Sequence, residues 1–118
     1  MKIRIRGNSI RYRLDKKDIE ILQVEQQVSE TTTIGVAALH FTITAGEPSI
    51  KLEQTTITLF VPAQQLKNWI LTEQVGFSME LPNPDNSTLQ ILVEKDFKCL
   101  TERNEDESMA FDNPTKSC

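Results

Sequence analysis

Apolar and polar positions alternate through residues 1–14. Lys2, Arg4 and Arg6 separate Met1, Ile3 and Ile5; after Gly7-Asn8 the pattern resumes with Ile10, Tyr12 and Leu14 set between Ser9, Arg11 and Arg13. A period of two belongs to a strand with one buried face, and Gly-Asn is a two-residue loop suited to a primed turn. With that loop Ile5 faces Ile10, Ile3 faces Tyr12 and Met1 faces Leu14, all on one side of a hairpin. Lys2, Arg4, Arg6, Ser9, Arg11 and Arg13 fall on the other side. A slip of one residue would mix the two faces, so the pattern specifies the register.

The period then lengthens. Asp15 reads as a helix N-cap, Asp18 as its reciprocal partner at the third helical position, and Leu14 with Ile19 as a hydrophobic staple. Ile19, Leu22 and Val24 are expected on the buried side of a helix ending near Gln26. Strands are expected over 28–34 and 37–44, the second with Leu39, Phe41 and Ile43 alternating against His40, Thr42 and Thr44. After Gly46-Glu47-Pro48 a second hairpin is predicted, Ser49–Glu53 and Thr56–Val61 turning at Gln54-Thr55. Pro62 suits the first turn of a second helix, where its missing N–H costs nothing, and Ala63, Leu66, Trp69 and Ile70 form an apolar stripe. Phe77, Met79 and Leu81 alternate in a further strand. After the loop Pro82-Asn83-Pro84-Asp85-Asn86, Leu89, Ile91 and Val93 carry the last strand to about Phe97.

The two halves match. An offset of 47 lays residues 2–28 on 49–75 without a gap: Ile3 on Ile50, Ile5 on Leu52, Tyr12 on Leu59, Leu14 on Val61, Ile19 on Leu66, Leu22 on Trp69 and Val28 on Val75. Identities are few; the hydrophobic pattern carries the match. A fixed-offset repeat implies that each copy is one supersecondary unit burying its apolar face against the other. The expected architecture is α+β: a strand-strand-helix-strand-strand unit duplicated, at about 1–46 and 47–97. The eight antiparallel strands would form one curved sheet or barrel with two helices outside, or two packed sheets. Closure would remove the exposed edges. Residues 98–118, rich in Asn, Asp, Glu, Ser and Pro, break the pattern and read as an acidic tail.

Composition narrows the class. A chain of 118 residues supports one domain. With 25% charged and 38% apolar residues it reads as a soluble globular protein. No segment approaches the roughly 20 apolar residues of a membrane span, and the N-terminus lacks an apolar signal region. A cytoplasmic setting is the expectation, with Cys99 and Cys118 free or metal-bound rather than bridged. Net charge is −4, yet residues 1–17 hold seven Lys and Arg against Asp15 alone. That asymmetry predicts a basic surface facing an anion or the chain's own acids. The overall acidity argues against nucleic acid as a partner.

The basic hairpin face is the leading candidate for chemistry. Arg4 opposite Arg11 and Lys2 opposite Arg13 set like charges on neighbouring strands, which is unfavourable unless an anion lies between them. Guanidinium forks suit phosphate or carboxylate. The competing reading is a neutralised network, with acids supplied by Glu94 and Asp96 on one face of the last strand or by Glu105, Asp106, Glu107 and Asp112 of the tail; Lys51, Glu53 and Glu80 occupy comparable polar positions. Glu94 and Asp96, two apart on a strand, are also candidate ligands for Mg2+. Cys99 and Cys118 lack a C-x-x-C spacing, and as zinc ligands would need further donors, with His40 the one histidine. His40 reads as a satisfied strand residue, Trp69 and Tyr12 as core. No phosphate loop, nucleophile elbow, H-E-x-x-H or dinucleotide fingerprint is present.

The opening MKIRIRGNSIRYRL, the strand QILVEKDFKCL and the ending with Asn113-Pro114 and Cys118 resemble a family of small bacterial proteins of unknown function. At the level of fold alone, the doubled unit of strands around a helix is similar to the triphosphate tunnel (CYTH-like) barrels, which line an eight-stranded tunnel with Arg, Lys and Glu. Their Glu-x-Glu-x-Lys signature lies on the first strand, where this chain has Lys2-Ile3-Arg4-Ile5-Arg6. Three functional expectations result. The first is a binding protein that uses Lys2, Arg4, Arg6, Arg11 and Arg13 for an anionic small molecule or an acidic protein segment, with no cofactor. The second, an enzyme, is a metal-dependent phosphohydrolase of the tunnel type using Glu94 and Asp96. The third is a structural or interaction domain whose basic face is neutralised internally.

Overall fold

The computed structural model describes residues 1–97. The elements are β1 (Lys2–Arg6), β2 (Ser9–Leu14), α1 (Lys16–Glu25), β3 (Gln27–Ile34), β4 (Ala37–Ala45), β5 (Ser49–Glu53), β6 (Thr56–Val61), α2 (Ala63–Leu71), β7 (Gly76–Pro82) and β8 (Thr88–Lys95). The strands form two four-stranded sheets, ordered β1-β2-β8-β7 (sheet A) and β3-β4-β6-β5 (sheet B).

The expected all-antiparallel barrel is not what forms. β2 pairs with β8 in parallel, as does β4 with β6, so both sheets are mixed and neither closes. The reason lies in the helices. α1 carries the chain from sheet A to sheet B and α2 carries it back, so each sheet joins a hairpin from the first half to one from the second. The inner strands of those hairpins run the same way. The open edges are β1 and β7 in sheet A, and β3 and β5 in sheet B. Lys2, Arg4 and Arg6 blunt the β1 edge as charged side chains do elsewhere.

The halves make the same pairings residue for residue. Lys2↔Arg13 to Arg6↔Ser9 corresponds to Ser49↔Phe60 to Glu53↔Thr56. Ser9↔Gln90 to Leu14↔Lys95 corresponds to Thr56↔His40 to Val61↔Ala45. Gln27↔Thr44 corresponds to Gly76↔Glu94. The gapless match ends after the helices, however. Phe77, not Val75, takes the place of Val28: both Val28 and Phe77 are buried strand residues, whereas Val75 is 54% exposed in a longer connection after α2. Only one extra residue then falls in the β7–β8 turn, where the Asn83 N–H donates to the Ser87 carbonyl at 2.8 Å.

Local chemistry explains the elements. Gly7 adopts φ 54° in the β1–β2 turn, a conformation glycine takes at no steric cost. Asp15 caps α1, with its carboxylate accepting from Asp18 N–H at 2.9 Å and Asp18 accepting from Asp15 N–H at 3.0 Å. Gln26 ends the helix in the left-handed region. Pro62 sits at the N-cap of α2, one residue earlier than expected, and its carbonyl accepts from Leu66 N–H.

One core joins both sheets and both helices. It contains Ile10, Tyr12 and Leu14 of β2, Leu22 of α1, Phe41 and Ile43 of β4, Leu59 and Val61 of β6, and Ile91 and Val93 of β8. Trp69 of α2 is fully buried, stands edge-on to Phe77 at 5.5 Å, and donates its indole N–H to the Val75 carbonyl at 3.0 Å. Two apolar expectations fail. Ile5 is 56% exposed and its equivalent Leu52 is 71% exposed, since both lie on edge strands near hairpin tips, beyond the reach of the core. Val24, also exposed, lies about 140° around the helix from Ile19, and Ile21 packs inward instead. Met1, one residue before β1, packs against the core as expected, and its α-amine contacts Asp18 and Glu30. No described helix is long and apolar enough to cross a membrane.

Candidate anion-binding face

Pleating turns alternate residues of sheet A outward, and the register then assembles three rows across the four strands. Lys2, Arg13, Glu94 and Gly76 form one row; Arg4, Arg11, Leu92 and Ser78 the next; Arg6, Ser9, Gln90 and Glu80 the third. The expected hairpin register is observed at Ile3↔Tyr12, Arg4↔Arg11 and Ile5↔Ile10.

A groove of about 420 Å³ lies over this face, lined by Arg4, Arg6 and Arg11 together with Ser9, Ser78, Glu80, Gln90 and Leu92. That volume falls in the range of small-molecule sites, roughly 300–1,000 Å³. A smaller depression of about 90 Å³ adjoins Lys2, Arg4, Arg11 and Arg13. Sequence reasoning missed Ser78, Gln90 and Leu92. Their signal was present, since they alternate with Phe77, Met79, Ile91 and Val93, but nothing local sets β7 and β8 beside the basic hairpin.

The two candidate acids sit at the far end of the face. Glu94 Oε1 accepts from Arg11 Nε at 2.6 Å and from Arg13 Nε at 3.1 Å. Asp96, just past β8, pairs with Lys2 Nζ at 2.8 Å. Both carboxylates are thus engaged by cations of the same face. Lys51 and Glu53 are elsewhere, on the outer face of sheet B. Of the acids named at comparable positions, only Glu80 lies on sheet A. Among the described residues no three His, Asp, Glu or Cys side chains converge as metal ligands would. His40, on sheet B, bonds through Nδ1 to the Thr31 hydroxyl at 2.9 Å. Cys99, Cys118 and the tail acids lie outside the described residues.

Among the described residues, cations outnumber acids on this face: Lys2, Arg4, Arg6, Arg11 and Arg13 against Glu80, Glu94 and Asp96. Sheet B provides an internal control. By the shared register, Arg4, Arg6, Arg11 and Arg13 correspond to Lys51, Glu53, Thr58 and Phe60. The remaining outward positions of sheet B are mostly small hydroxyl residues, with Ser29 and Thr42 bonded to each other at 2.7 Å. The equivalent backbone of sheet B therefore forms without these arginines.

No curated protein and no solved structure matches the chain. A family model described as "Family of unknown function (DUF7009)" matches residues 1–115, and the chain belongs to that family.

Proposed function

We propose that the protein is a binding module that holds an anionic ligand, bearing phosphate or carboxylate groups, in the groove over sheet A. The carrying observation is the gathering of Arg4, Arg6 and Arg11 around one groove, at positions where the equivalent sheet carries Lys51, Glu53 and Thr58. Guanidinium forks bind such oxygens bidentately. Ser9, Ser78 and Gln90 add neutral donors, and Glu80 selects against ligands that crowd that end. Glu94 accepts from Arg11 and Arg13 at one end of the face, so Arg11 shares its charge between Glu94 and the groove.

A metal-dependent phosphohydrolase has less support. It would need Glu94 and Asp96 as cation ligands, and both carboxylates are paired to Arg11, Arg13 and Lys2. Purely internal neutralisation is the better account at the Lys2–Arg13 end, where Glu94 and Asp96 take Arg11, Arg13 and Lys2.

The test is calorimetric titration with phosphate and tripolyphosphate at two salt concentrations, without and with Mg2+. Binding that weakens with salt, needs no Mg2+ and falls about tenfold in Arg4→Ala or Arg6→Ala supports the site. Lys51→Ala, on sheet B, leaves it unchanged. Binding that is indifferent to Arg4 and Arg6 rejects the groove as its location.

A further inference from the structure

The chain carries its own candidate occupant for this groove. Residues 98–118 follow directly from sheet A and include the run Glu105-Asp106-Glu107, then Met109 and Phe111. We infer that this acidic run docks over Arg4, Arg6 and Arg11 and competes with external anions. The inference rests on the anion-binding reading above and adds regulation to it.

Three observations support it. The first is the exit point. The Asp96 N–H donates to the Leu14 carbonyl at 2.8 Å and its carboxylate takes Lys2, so the described chain ends beside the basic face, at the Leu14 end of sheet A. The second is reach. The groove centres on the level of Gln90 and Leu92, and the seven residues from Gln90 through the end of β8 at Lys95 to Phe97 span up to about 23 Å. Glu105 lies eight residues beyond Phe97, and an extended chain of that length covers up to about 26 Å. The acidic run therefore begins where the chain first reaches back to the groove. The third is complementarity. Three consecutive acids meet three guanidinium groups, and Leu92, 37% exposed on the groove floor, offers an apolar contact to Met109 or Phe111. Tethering supplies a local concentration in the millimolar range, so modest intrinsic affinity suffices for docking.

The experiment uses the full chain and a full-length E105Q/D106N/E107Q variant, with E20Q/E25Q/E47Q as a control. The control removes the same charge from exposed positions on α1 and the β4–β5 connection. Backbone amide spectra are compared without ligand, and tripolyphosphate is then titrated into each protein. Docking predicts shifts in the amides of Arg6, Gln90 and Leu92 for the tail variant alone. It also predicts tripolyphosphate affinity about tenfold higher in that variant, as expected if the run covers the groove nine-tenths of the time. Groove amides that do not move, with tripolyphosphate binding the groove equally in all three proteins, overturn the inference and keep the anion site. Amides that move, with no tripolyphosphate binding to any of the three, overturn the anion-binding reading and keep the tail contact. Equal gains in affinity from both variants reduce the effect to net charge and also overturn the inference.

Discussion

Arg11 reaches past its register neighbour to bond Glu94. The β2–β8 pairing sets Arg13 beside Glu94 and Leu92 beside Arg11, yet Arg11 Nε donates to Glu94 Oε1 at 2.6 Å while Arg13 donates to the same oxygen at 3.1 Å. One half-buried carboxylate thus serves two guanidinium groups that like-charge repulsion would otherwise drive apart. Arg11 also lines the groove, so the ion cluster and the groove share a residue.

Glu94→Gln should therefore separate stability from binding. Loss of the carboxylate leaves two partly covered cations without their counter-charge, and stability should fall by about 1–3 kcal/mol. Tripolyphosphate affinity should rise several-fold, because Arg11 no longer shares its charge with Glu94. Urea unfolding and calorimetry on the same variant measure both. A variant that loses stability and affinity together would make Glu94 a support for the groove and not a competitor within it.

Tyr12 predicts an alkaline transition. Its ring is fully buried, its hydroxyl has no hydrogen-bond partner among the described residues, and burial pushes the phenol up to about 12 from 10.0. The folded state then holds the proton more tightly than the unfolded one. The associated stability is complete below pH 10 and lost as pH rises towards 12. Tyr12→Phe removes an unsatisfied buried hydroxyl, so it should raise stability by about 1 kcal/mol at neutral pH. It should also flatten the loss between pH 10 and 12. Tyr12 is the one tyrosine in the chain, so ultraviolet difference absorbance reports its titration directly. A phenol that ionises near its ordinary value would show that water reaches the hydroxyl.

What the sequence reveals here is mostly local. Strict alternation flanking Gly7-Asn8 was enough to place every pair from Lys2↔Arg13 to Arg6↔Ser9, because a slip would have exposed Ile3 and Ile10 together. The Asp15–Asp18 box was likewise readable, since it involves neighbours in the chain. Glu94 was recognisable as a partner for the arginines by its charge and face. The parallel β2–β8 and β4–β6 joins were not recognisable. The alternation of Ile10, Tyr12 and Leu14 is satisfied equally by a parallel or an antiparallel neighbour, so period alone leaves sheet direction open. Ser78, Gln90 and Leu92 were missed for the same reason: they become groove residues only once β8 lies against β2. The exposure of Ile5 and Leu52 depends on where the core ends, which is a property of the packed sheets.

Asp15 and Asp85, both held below their ordinary value by local hydrogen bonds, should each contribute to acid sensitivity. The Asp18 backbone N–H holds Asp15 below its ordinary value of 3.8, and the Ser87 hydroxyl holds Asp85 below the same value. A depressed folded value contributes stability that is present above 3.8 and lost as pH falls through the folded value. Asp15→Ala should lower the melting temperature at neutral pH, and the gap from the parent protein should shrink as pH falls below about 4. Asp15→Asn, which keeps the cap oxygen, should melt closer to the parent at neutral pH. Thermal melts across that range check both. A gap that persists unchanged in acid would assign the effect to packing of the helix end.

The exchange of hairpins makes a stronger demand on cooperativity. Each sheet takes two strands from either side of the connection at Gly46, Glu47 and Pro48, and Tyr12 and Leu14 of the first half share a core with Trp69 and Val93 of the second. A fragment of residues 1–46 holds two hairpins that belong to different sheets, each missing its parallel neighbour. A piece that small buries too little surface to offset its chain entropy. Fragments 1–46 and 47–118 should thus each be unfolded by circular dichroism, and an equimolar mixture should recover the sheet signal. Trp69, the one tryptophan, is fully buried in the intact protein, so its fluorescence should shift to the blue only on mixing. A folded, monomeric 1–46 fragment would mean that each half closes on itself. The paired registers would then be a resemblance between two independent units, not evidence for one interlocked domain.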